Sequence, residues 1–306
     1  MSGPLIAKLA QSRFLTAHLQ NFNVKRMIHI CMSGFYDLNS CTTKCIARVI
    51  DRTLQFCSMG VDRMQWGAEE WQYADLYMPD DESPYANSNG VPCVMLIHGG
   101  FWKSEWTSEL MKPVAQDLAD AGVAAWNIEF KGWSEGDEGV WMDTLSDVLR
   151  AWGQLALLPG IDIVRSMVMG HSAGGQLALL LAAKAERKPW LVIAQAPITD
   201  LVGADRSKLS DDGDAVRRWI GCSPEENSSL WSQLSPIDHP PASAVLLVHG
   251  EDDEDVPKSQ SETYARVMSA KGTDVQKLWL PGDHYTLIDP ASDDWLVELN
   301  TILDWL

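Results

Sequence analysis

Basic residues are scarce in this sequence of 306 residues, since 24 Lys and Arg stand against 42 Asp and Glu and the formal net charge is −18. A protein that binds nucleic acid needs a basic surface to contact phosphates, so this composition argues against a nucleic-acid partner. Residues 1–60 differ from the rest, because they hold seven basic and only two acidic residues. The acidic excess therefore lies in the remainder of the chain.

Long apolar runs and paired cysteines are missing as well. No stretch of about 18 apolar residues is present, so we expect no membrane-spanning helix. The six cysteines form no C-x-x-C pairs of the kind that bind zinc. We interpret them as free thiols in a reducing compartment, and we expect neither a metal nor another cofactor.

The basic, acid-poor and hydroxyl-containing segment 1–60 has the composition of an organellar transit peptide. Two alternatives stay open: a helical extension that packs on the domain, or an upstream stretch that precedes a true start at Met59 or Met64. We therefore predict an N-terminal extension over 1–60 and one domain over 61–306. The expected location is cytoplasmic, or organellar if the extension is a transit peptide.

From residue 66 onward, short apolar runs alternate with stretches of helical periodicity. Apolar runs bounded by turn residues are typical of strands that are covered on both faces. The predicted strands are 72–78, 93–97, 123–128, 163–169, 191–194, 244–248 and 275–280. The predicted helices are 107–121, 140–157, 173–185, 258–271 and 292–306.

Strands and helices in this order form βαβ crossovers, which predicts an α/β fold with a mostly parallel central sheet flanked by helices. Segment 198–240 interrupts the alternation, because it is polar, rich in turn residues and shows one helical stretch near 213–220. We interpret this segment as a small cap insertion over the carboxyl edge of the sheet.

A G-x-S-x-G pattern, Gly170–Gly174, lies between the predicted strand 163–169 and the predicted helix 173–185. A serine in such a strand–turn–helix context stands in a strained turn with its hydroxyl free. The first amides of the helix can then stabilise an anion. Ser172 is therefore the candidate nucleophile, and the alternative is an ordinary Gly-rich turn.

The segment His98-Gly99-Gly100-Phe101-Trp102 follows another predicted strand. A tetrahedral intermediate of acyl transfer needs two N–H groups that point at its oxyanion. Ala173 would donate one of these bonds, and Gly100 or Phe101 would donate the other. We interpret His98 as an anchor of this loop rather than as a catalytic group.

Among the seven histidines, His284 best fits a general base, because it lies between the last predicted strand and the last predicted helix. An acid that orients this base is expected in the acidic stretch after strand 244–248. That stretch resembles the turn H-G-x-x-D-x-x-V-P, which selects Asp253 and leaves Asp252 and Asp255 as alternatives. Such an acidic cluster could also be a solvated turn, although it lacks the glycine and terminal glutamate of a calcium-binding EF-hand loop.

Together these motifs resemble the carboxylesterase-like branch of the α/β-hydrolase superfamily, and within it esterases related to kynurenine formamidase (arylformamidase) and feruloyl-esterase-like domains. The resemblance covers 66–306 and implies a cofactor-independent serine hydrolase in which Ser172, Asp253 and His284 cleave a carboxylic ester or an aryl-formamide through an acyl-enzyme. Its motifs are QYADLYMP at 72–79, HGGFW at 98–102, WNIEF at 126–130, GHSAGG at 170–175 and HGEDDEDVP at 249–257.

One departure concerns the substrate. Relatives often carry an aromatic residue and an arginine after the strand that ends near Ile128, whereas this chain has Phe130-Lys131-Gly132-Trp133. Trp102, Trp106 and Trp133 would line a pocket for an aryl or acyl group, or would pack in the core or at its rim.

Three other functions stay open at this point: an acyltransferase that uses the same triad, an arylformamidase of tryptophan catabolism, and a non-catalytic binding module that kept the fold. The expected partner of an enzyme with these motifs is a small-molecule ester or amide. The oligomeric state does not follow from the sequence.

Overall fold

The computed structural model describes residues 61–79, 83–210 and 212–306. These residues belong to one compact unit, Met59–Leu306. The expectations for segment 1–60 concern residues outside those described. Within the described part of the chain, no helix is long and apolar enough to cross a membrane.

An eight-stranded sheet with the strand order β1-β2-β4-β3-β5-β6-β7-β8 forms the centre of this unit. Its two antiparallel pairs are β1 with β2 and β2 with β4, and all other neighbours are parallel. The prediction of a mostly parallel sheet is thereby confirmed. The strands are β1 (Val61–Gln65), β2 (Tyr73–Tyr77), β3 (Cys93–Ile97), β4 (Ala124–Ile128), β5 (Met167–His171), β6 (Leu191–Gln195), β7 (Ala244–Gly250) and β8 (Val275–Leu280).

The described residues form eight α-helices, and most of them follow the predicted alternation with strands. Six of them match predicted helices, with ends that differ by at most five residues. The helices are α1 (Lys112–Asp120), α2 (Trp141–Gln154), α3 (Ala173–Lys184), α4 (Leu201–Arg206), α5 (Ala215–Ile220), α6 (Ser228–Leu234), α7 (Ser259–Ala270) and α8 (Asp293–Leu303).

Three local features differ from the expectations. Strand β1 was not predicted, because all five of its residues are exposed and show no apolar pattern. Strand β5 begins four residues later than predicted, since Asp162 caps a short 3-10 turn at Ile163–Arg165 by accepting a bond from the Val164 N–H. The insertion holds α4, α5 and α6 rather than one helix.

Two apolar clusters cover the two faces of the sheet. Strands β3, β4, β5 and β6 are buried along their whole length, which explains their continuous apolar runs. Large indole rings fill much of this core, and each donates its N–H to an oxygen, as buried tryptophans usually do. The fully or almost fully buried tryptophans with such a bond are Trp102, Trp126, Trp152, Trp219, Trp231 and Trp295.

A buried polar pair joins the carboxyl end of β6 to α8. Gln195 Nε2 donates to Glu298 Oε1 at 2.9 Å, and both side chains are completely buried. Glu298 Oε2 has no hydrogen-bond partner among the described residues. Burial raises the pKa of Glu298 to about 8, so this carboxyl group keeps its proton at neutral pH.

This raised pKa makes stability depend on pH. The unfolded chain loses the Glu298 proton near the ordinary glutamate pKa, whereas the folded chain keeps it up to about pH 8. The contribution to stability is therefore complete below the ordinary pKa and falls as the pH rises towards 8.

We expect Glu298→Gln, which is neutral at every pH, to stabilise the protein more at pH 8 than at pH 5.5. The gain in the free energy of unfolding should be larger at pH 8 by on the order of 3 kcal/mol. Urea denaturation at the two pH values measures it, with the exposed Glu186→Gln as control. Equal gains at both pH values would contradict the assignment.

Candidate active site

Ser172 occupies a sharp turn between β5 and α3. Its backbone has φ 57° and ψ −119°, a conformation that is strained for a residue with a side chain. The Ser172 N–H donates to the carbonyl oxygen of Gln195 at 2.8 Å, which fastens the turn to the end of β6. A strained turn between a strand and a helix is the backbone geometry that the G-x-S-x-G motif predicts, and we call this turn the elbow. The role of Ser172 as a nucleophile stays a prediction.

Glycines allow the segments around this turn to approach each other. A Cβ on Gly170 would lie 2.0 Å from the carbonyl oxygen of Gly174, and one on Gly174 would lie 2.1 Å from that of Ile97. A Cβ on Gly99 would lie 3.1 Å from the Ser172 Cβ. The loop after β3 therefore packs directly against the elbow.

This loop is held by a buried histidine at its start. His98 Nε2 lies 2.9 Å from Glu129 Oε1, and its Nδ1 lies 2.8 Å from the carbonyl oxygen of Gly99. Glu129 also accepts a bond from the Ser108 N–H, and Phe130 stacks on the His98 ring at 4.3 Å. These contacts correspond to the anchor role expected for His98.

The loop after β3, which the sequence predicts to be the oxyanion loop, has an unusual backbone at three successive residues. Gly100, Phe101 and Trp102 have φ values of 105°, 52° and 59°. The left-handed conformation favours glycine, so the two residues with side chains are held there by their surroundings. Trp133 contributes by donating its indole N–H to the Phe101 carbonyl oxygen at 3.0 Å, and the Trp133 N–H bonds to the Trp102 carbonyl oxygen.

The three tryptophans proposed for a pocket differ in exposure. Trp102 is completely buried, stacks on Trp219 of α5 at 4.6 Å and bonds to Gln176 of α3, so it packs in the core. Trp133 is 6% exposed, whereas Trp106 is 46% exposed and lies against Gly100. Of the three, Trp106 offers the largest open surface beside the loop.

A surface cavity of about 590 Å³ lies beside the loop after β3. Lys103 and Arg218 place their cations 5.6 Å and 5.4 Å from the Trp133 ring centroid. Both cations also pair with acids, since Lys103 lies 3.6 Å from Asp212 and Arg218 lies 2.8 Å from Asp214. The cavity wall is therefore a tryptophan bordered by paired charges.

Asp253 and His284 come from the loops after β7 and β8 and lie in direct contact. His284 Nδ1 lies 2.7 Å from Asp253 Oδ2, and the Asp253 side chain is completely buried. Asp253 Oδ1 accepts bonds from the N–H groups of Asp255 and Val256. The Asp252 side chain is exposed. The carboxylate that contacts the imidazole is thus that of Asp253.

The ionisation of Asp253 follows from its partners. Burial alone raises its pKa, but the hydrogen bonds with His249 and His284 outweigh burial and hold the pKa well below its usual range. Asp253 therefore carries its negative charge throughout the neutral range, which favours a proton on His284 Nδ1.

His171, the residue before Ser172, connects the elbow to His284. Its Nε2 donates to the His284 carbonyl oxygen at 2.9 Å, and the two ring centroids are 4.4 Å apart. The structure therefore brings His284 and Asp253 to the elbow that carries Ser172. The sequence motifs had assigned no role to His171 or to His249, although both are polar residues at the ends of buried strands.

Potential metal ligands also converge here, because one ligand atom each of Asp253, Asp255 and His284 lies within 4.8 Å of the others. Both Asp253 oxygens already accept hydrogen bonds, and His284 Nδ1 faces the carboxylate. This bonding pattern fits an acid–base pair better than a set of ligands with free lone pairs.

A comparison with known protein families matches residues 74–268 to the BD-FAE model. The chain belongs to the BD-FAE family. The matched segment of this BD-FAE protein begins in β2 and ends in α7, so it includes Ser172 and Asp253 and ends before His284.

Among curated proteins, this BD-FAE protein is 29% identical over 220 residues to kynurenine formamidase avaC of Aspergillus versicolor, covering 58% of this chain and 75% of that one. It is 26% identical over 265 residues to the acylamino-acid-releasing enzyme of Rattus norvegicus, covering 78% of this chain. The alignment spans only 34% of the length of that enzyme.

Among solved structures, esterase B from Lactobacillus rhamnosis superposes with a TM-score of 0.66 at 18% identity, and the match covers 86% of this chain and 93% of that one. At this identity the likeness concerns the fold, which is that of the α/β-hydrolases.

Close packing at the elbow leads to a prediction about two glycines. We expect Gly170→Ala to lower the free energy of unfolding by roughly 3 kcal/mol or more, because the new Cβ would meet backbone atoms of α3 that cannot move independently. The control is Gly153→Ala in α2, where a Cβ meets no atom within 4 Å. It should stabilise the protein by about 0.5–1 kcal/mol. Urea denaturation of both variants checks the pair, and a Gly170→Ala protein as stable as the wild type would disprove the packing argument.

Proposed function

We propose that this BD-FAE protein is a serine hydrolase that cleaves a carboxylic ester or an aryl-formamide through an acyl-enzyme, in a catalytic domain formed by residues 61–306. The observation that carries the proposal is the buried contact of 2.7 Å between His284 Nδ1 and the ionised Asp253, beside the strained turn of Ser172. When the Nδ1–H of an imidazole donates to a carboxylate, its Nε2 carries no proton. This Nε2 can then accept the proton of a serine nucleophile.

The mechanism follows from these roles. Ser172 Oγ attacks the carbonyl carbon of the substrate while His284 Nε2 accepts its proton. Asp253 keeps the imidazole in the correct tautomer and stabilises the imidazolium. His284 then protonates the leaving group, and it activates the water that hydrolyses the acyl-enzyme and restores Ser172.

Backbone amides would bind the oxyanion of both tetrahedral intermediates. Ala173 is the first residue of α3, so its N–H is unpaired within the helix and lies at the positive end of the helix dipole. The second N–H is assigned to Gly100 or Phe101, in the loop that packs against Ser172. Each such donor typically contributes about 3 kcal/mol to stabilising the transition state.

The proposed substrate class is a small acyl compound. The two curated relatives are named for a formamidase activity and for releasing acylamino acids, and the solved neighbour is named an esterase. In each case the group attacked would be an acyl carbonyl. The exposed face of Trp106 beside the oxyanion loop supports an aryl or apolar group on the substrate.

Loss of the nucleophile gives the first functional test. We expect the wild type to react with a fluorophosphonate probe and to turn over at least one substrate from p-nitrophenyl esters of increasing chain length and N-formylkynurenine. Ser172→Ala should lose both labelling and turnover. The control is Ser166→Ala, which removes a serine hydroxyl outside the elbow. This variant should keep both labelling and turnover. Retention of most of the rate in Ser172→Ala would refute the assignment.

Replacing two neighbouring aspartates tests which of them orients His284. Asp253→Asn should lower kcat by roughly 10³–10⁴-fold, because the amide favours the wrong imidazole tautomer. Asp252→Asn changes an exposed side chain and should leave kcat within about threefold of the wild type. Steady-state kinetics on the best substrate compares kcat of the two variants. A larger decrease of kcat in Asp252→Asn than in Asp253→Asn would assign the orienting role to Asp252.

A further inference from the structure

Two side chains at the carboxyl edge of the sheet contact the backbone of the segment that carries His284. His171 ends β5 and Gln195 ends β6, and the two residues are register partners in the parallel pair. His171 Nε2 lies 2.9 Å from the carbonyl oxygen of His284, and Gln195 Nε2 lies 2.7 Å from that of Leu287. Adjacent strands thus contact two carbonyl groups three residues apart.

We propose that His171 and Gln195 are positioning residues that hold the His284 segment over the nucleophile elbow through its backbone carbonyls. The inference rests on the proposed function, since it concerns where the general base of that reaction is held. Neither residue touches the reacting atoms. They determine the position of the His284 ring, which must reach Ser172 on one side and Asp253 on the other.

The protonation state of His171 suits this role. A carbonyl oxygen only accepts hydrogen bonds, so the contact requires a proton on His171 Nε2. Burial, together with the neighbouring His284, lowers the pKa of His171 to about 3. The ring is therefore neutral at working pH. A neutral neighbour does not oppose the positive charge that develops on His284 during catalysis.

The surroundings of His171 leave its ring little freedom. The side chain is 3% exposed, and a Cβ on Gly99 would lie 2.9 Å from its Nδ1. His171 thus lies between the oxyanion loop and the His284 ring, and it is joined to Ser172 by the peptide bond. One residue therefore joins the three segments, through its side chain to two of them and through its backbone to the third.

The orientation of the Gln195 amide is fixed by its partners. Its Nε2 faces two acceptors, the Leu287 carbonyl oxygen and Glu298 Oε1, so the NH₂ group must point towards them. Its backbone carbonyl accepts the Ser172 N–H. Gln195 therefore connects the elbow on one side with the His284 segment and α8 on the other.

Other contacts hold the His284 segment at residues on either side of the histidine. Asp294 of α8 accepts bonds from the Gly282 N–H and from Thr286 Oγ1. These bonds fasten the flanks of the segment to α8. The bond from His171 acts on the His284 backbone itself, so its loss should displace the imidazole while the flanks stay in place.

The test compares two replacements of His171. His171→Phe keeps a planar ring and removes the donor, whereas His171→Gln keeps an amide donor at nearly the same distance from the backbone. We expect His171→Phe to lower kcat by about 10–100-fold with KM within threefold of the wild type, since small displacements of a catalytic group have effects of this size. His171→Gln should restore most of the rate. Gln195→Met should lower kcat in the same way, by a smaller factor.

Rates are expressed per active site titrated with the fluorophosphonate, so that a fraction of unfolded protein does not count as slow catalysis. A second readout is the NMR resonance of the His284 Nδ1 proton that is bonded to Asp253. We expect it to shift or broaden in His171→Phe and to return in His171→Gln. Circular dichroism and thermal denaturation show whether each variant folds.

The outcomes separate the inference from the proposed function. A wild type that neither labels nor hydrolyses any substrate defeats the proposed function, and the imidazole resonance then decides the positioning role alone. Unchanged kcat and an unchanged resonance in folded His171→Phe overturn the inference. If His171→Phe does not fold, Gln195→Met decides: a lower kcat with an altered resonance supports the positioning role, and wild-type values for both overturn it.

Discussion

The contact between a buried carboxylate and an imidazole, Asp253 and His284, is the interaction on which the rest of the site depends. A charged carboxylate is costly to bury unless hydrogen bonds replace its hydration. Here the imidazole supplies one bond and the amides of Asp255 and Val256 supply two more. The loops after β7 and β8 must therefore lie together for either to be stable in its observed form. The same requirement gives the histidine its orientation.

The parallel sheet explains why distant segments meet at one place. The carboxyl ends of parallel strands share one edge, so the loops after β3, β5, β7 and β8 are neighbours although nearly 190 residues separate the first from the last. Glycines then decide how closely these loops approach. At Gly99, Gly170 and Gly174 a methyl group would meet backbone or side-chain atoms of the next segment. The strain at Ser172 is sustained because all of its neighbours are packed.

Sequence patterns predicted the parts of the fold that depend on local order. Buried strands are continuous apolar runs, and the order of strands and helices leaves few sheet topologies. Strand β1 and the cap helices α4 and α6 were not predicted, because their residues show no apolar period or are too few to display one. The site motifs at Ser172, Asp253 and His284 were visible for the same local reason, and their catalytic roles stay predictions.

Long-range contacts could not be predicted from these patterns. The pairing of His171 with His284, of Gln195 with Leu287, and of Trp102 with Trp219 joins residues that are between 92 and 117 positions apart in the chain. No spacing rule connects such positions. A histidine or glutamine at the end of a buried strand signals only that a polar partner must lie above it.

The stacking of Trp102 on Trp219 has a consequence for how this enzyme scaffold can diversify. Insertions over a sheet edge are where related folds vary most freely, because loops tolerate changes of length and sequence. Here the insertion contributes an indole from α5 that supports the loop beside Ser172. Exchanging the insertion for that of another protein would remove this support. New specificities should therefore arise more readily by replacing single rim side chains than by grafting whole insertions.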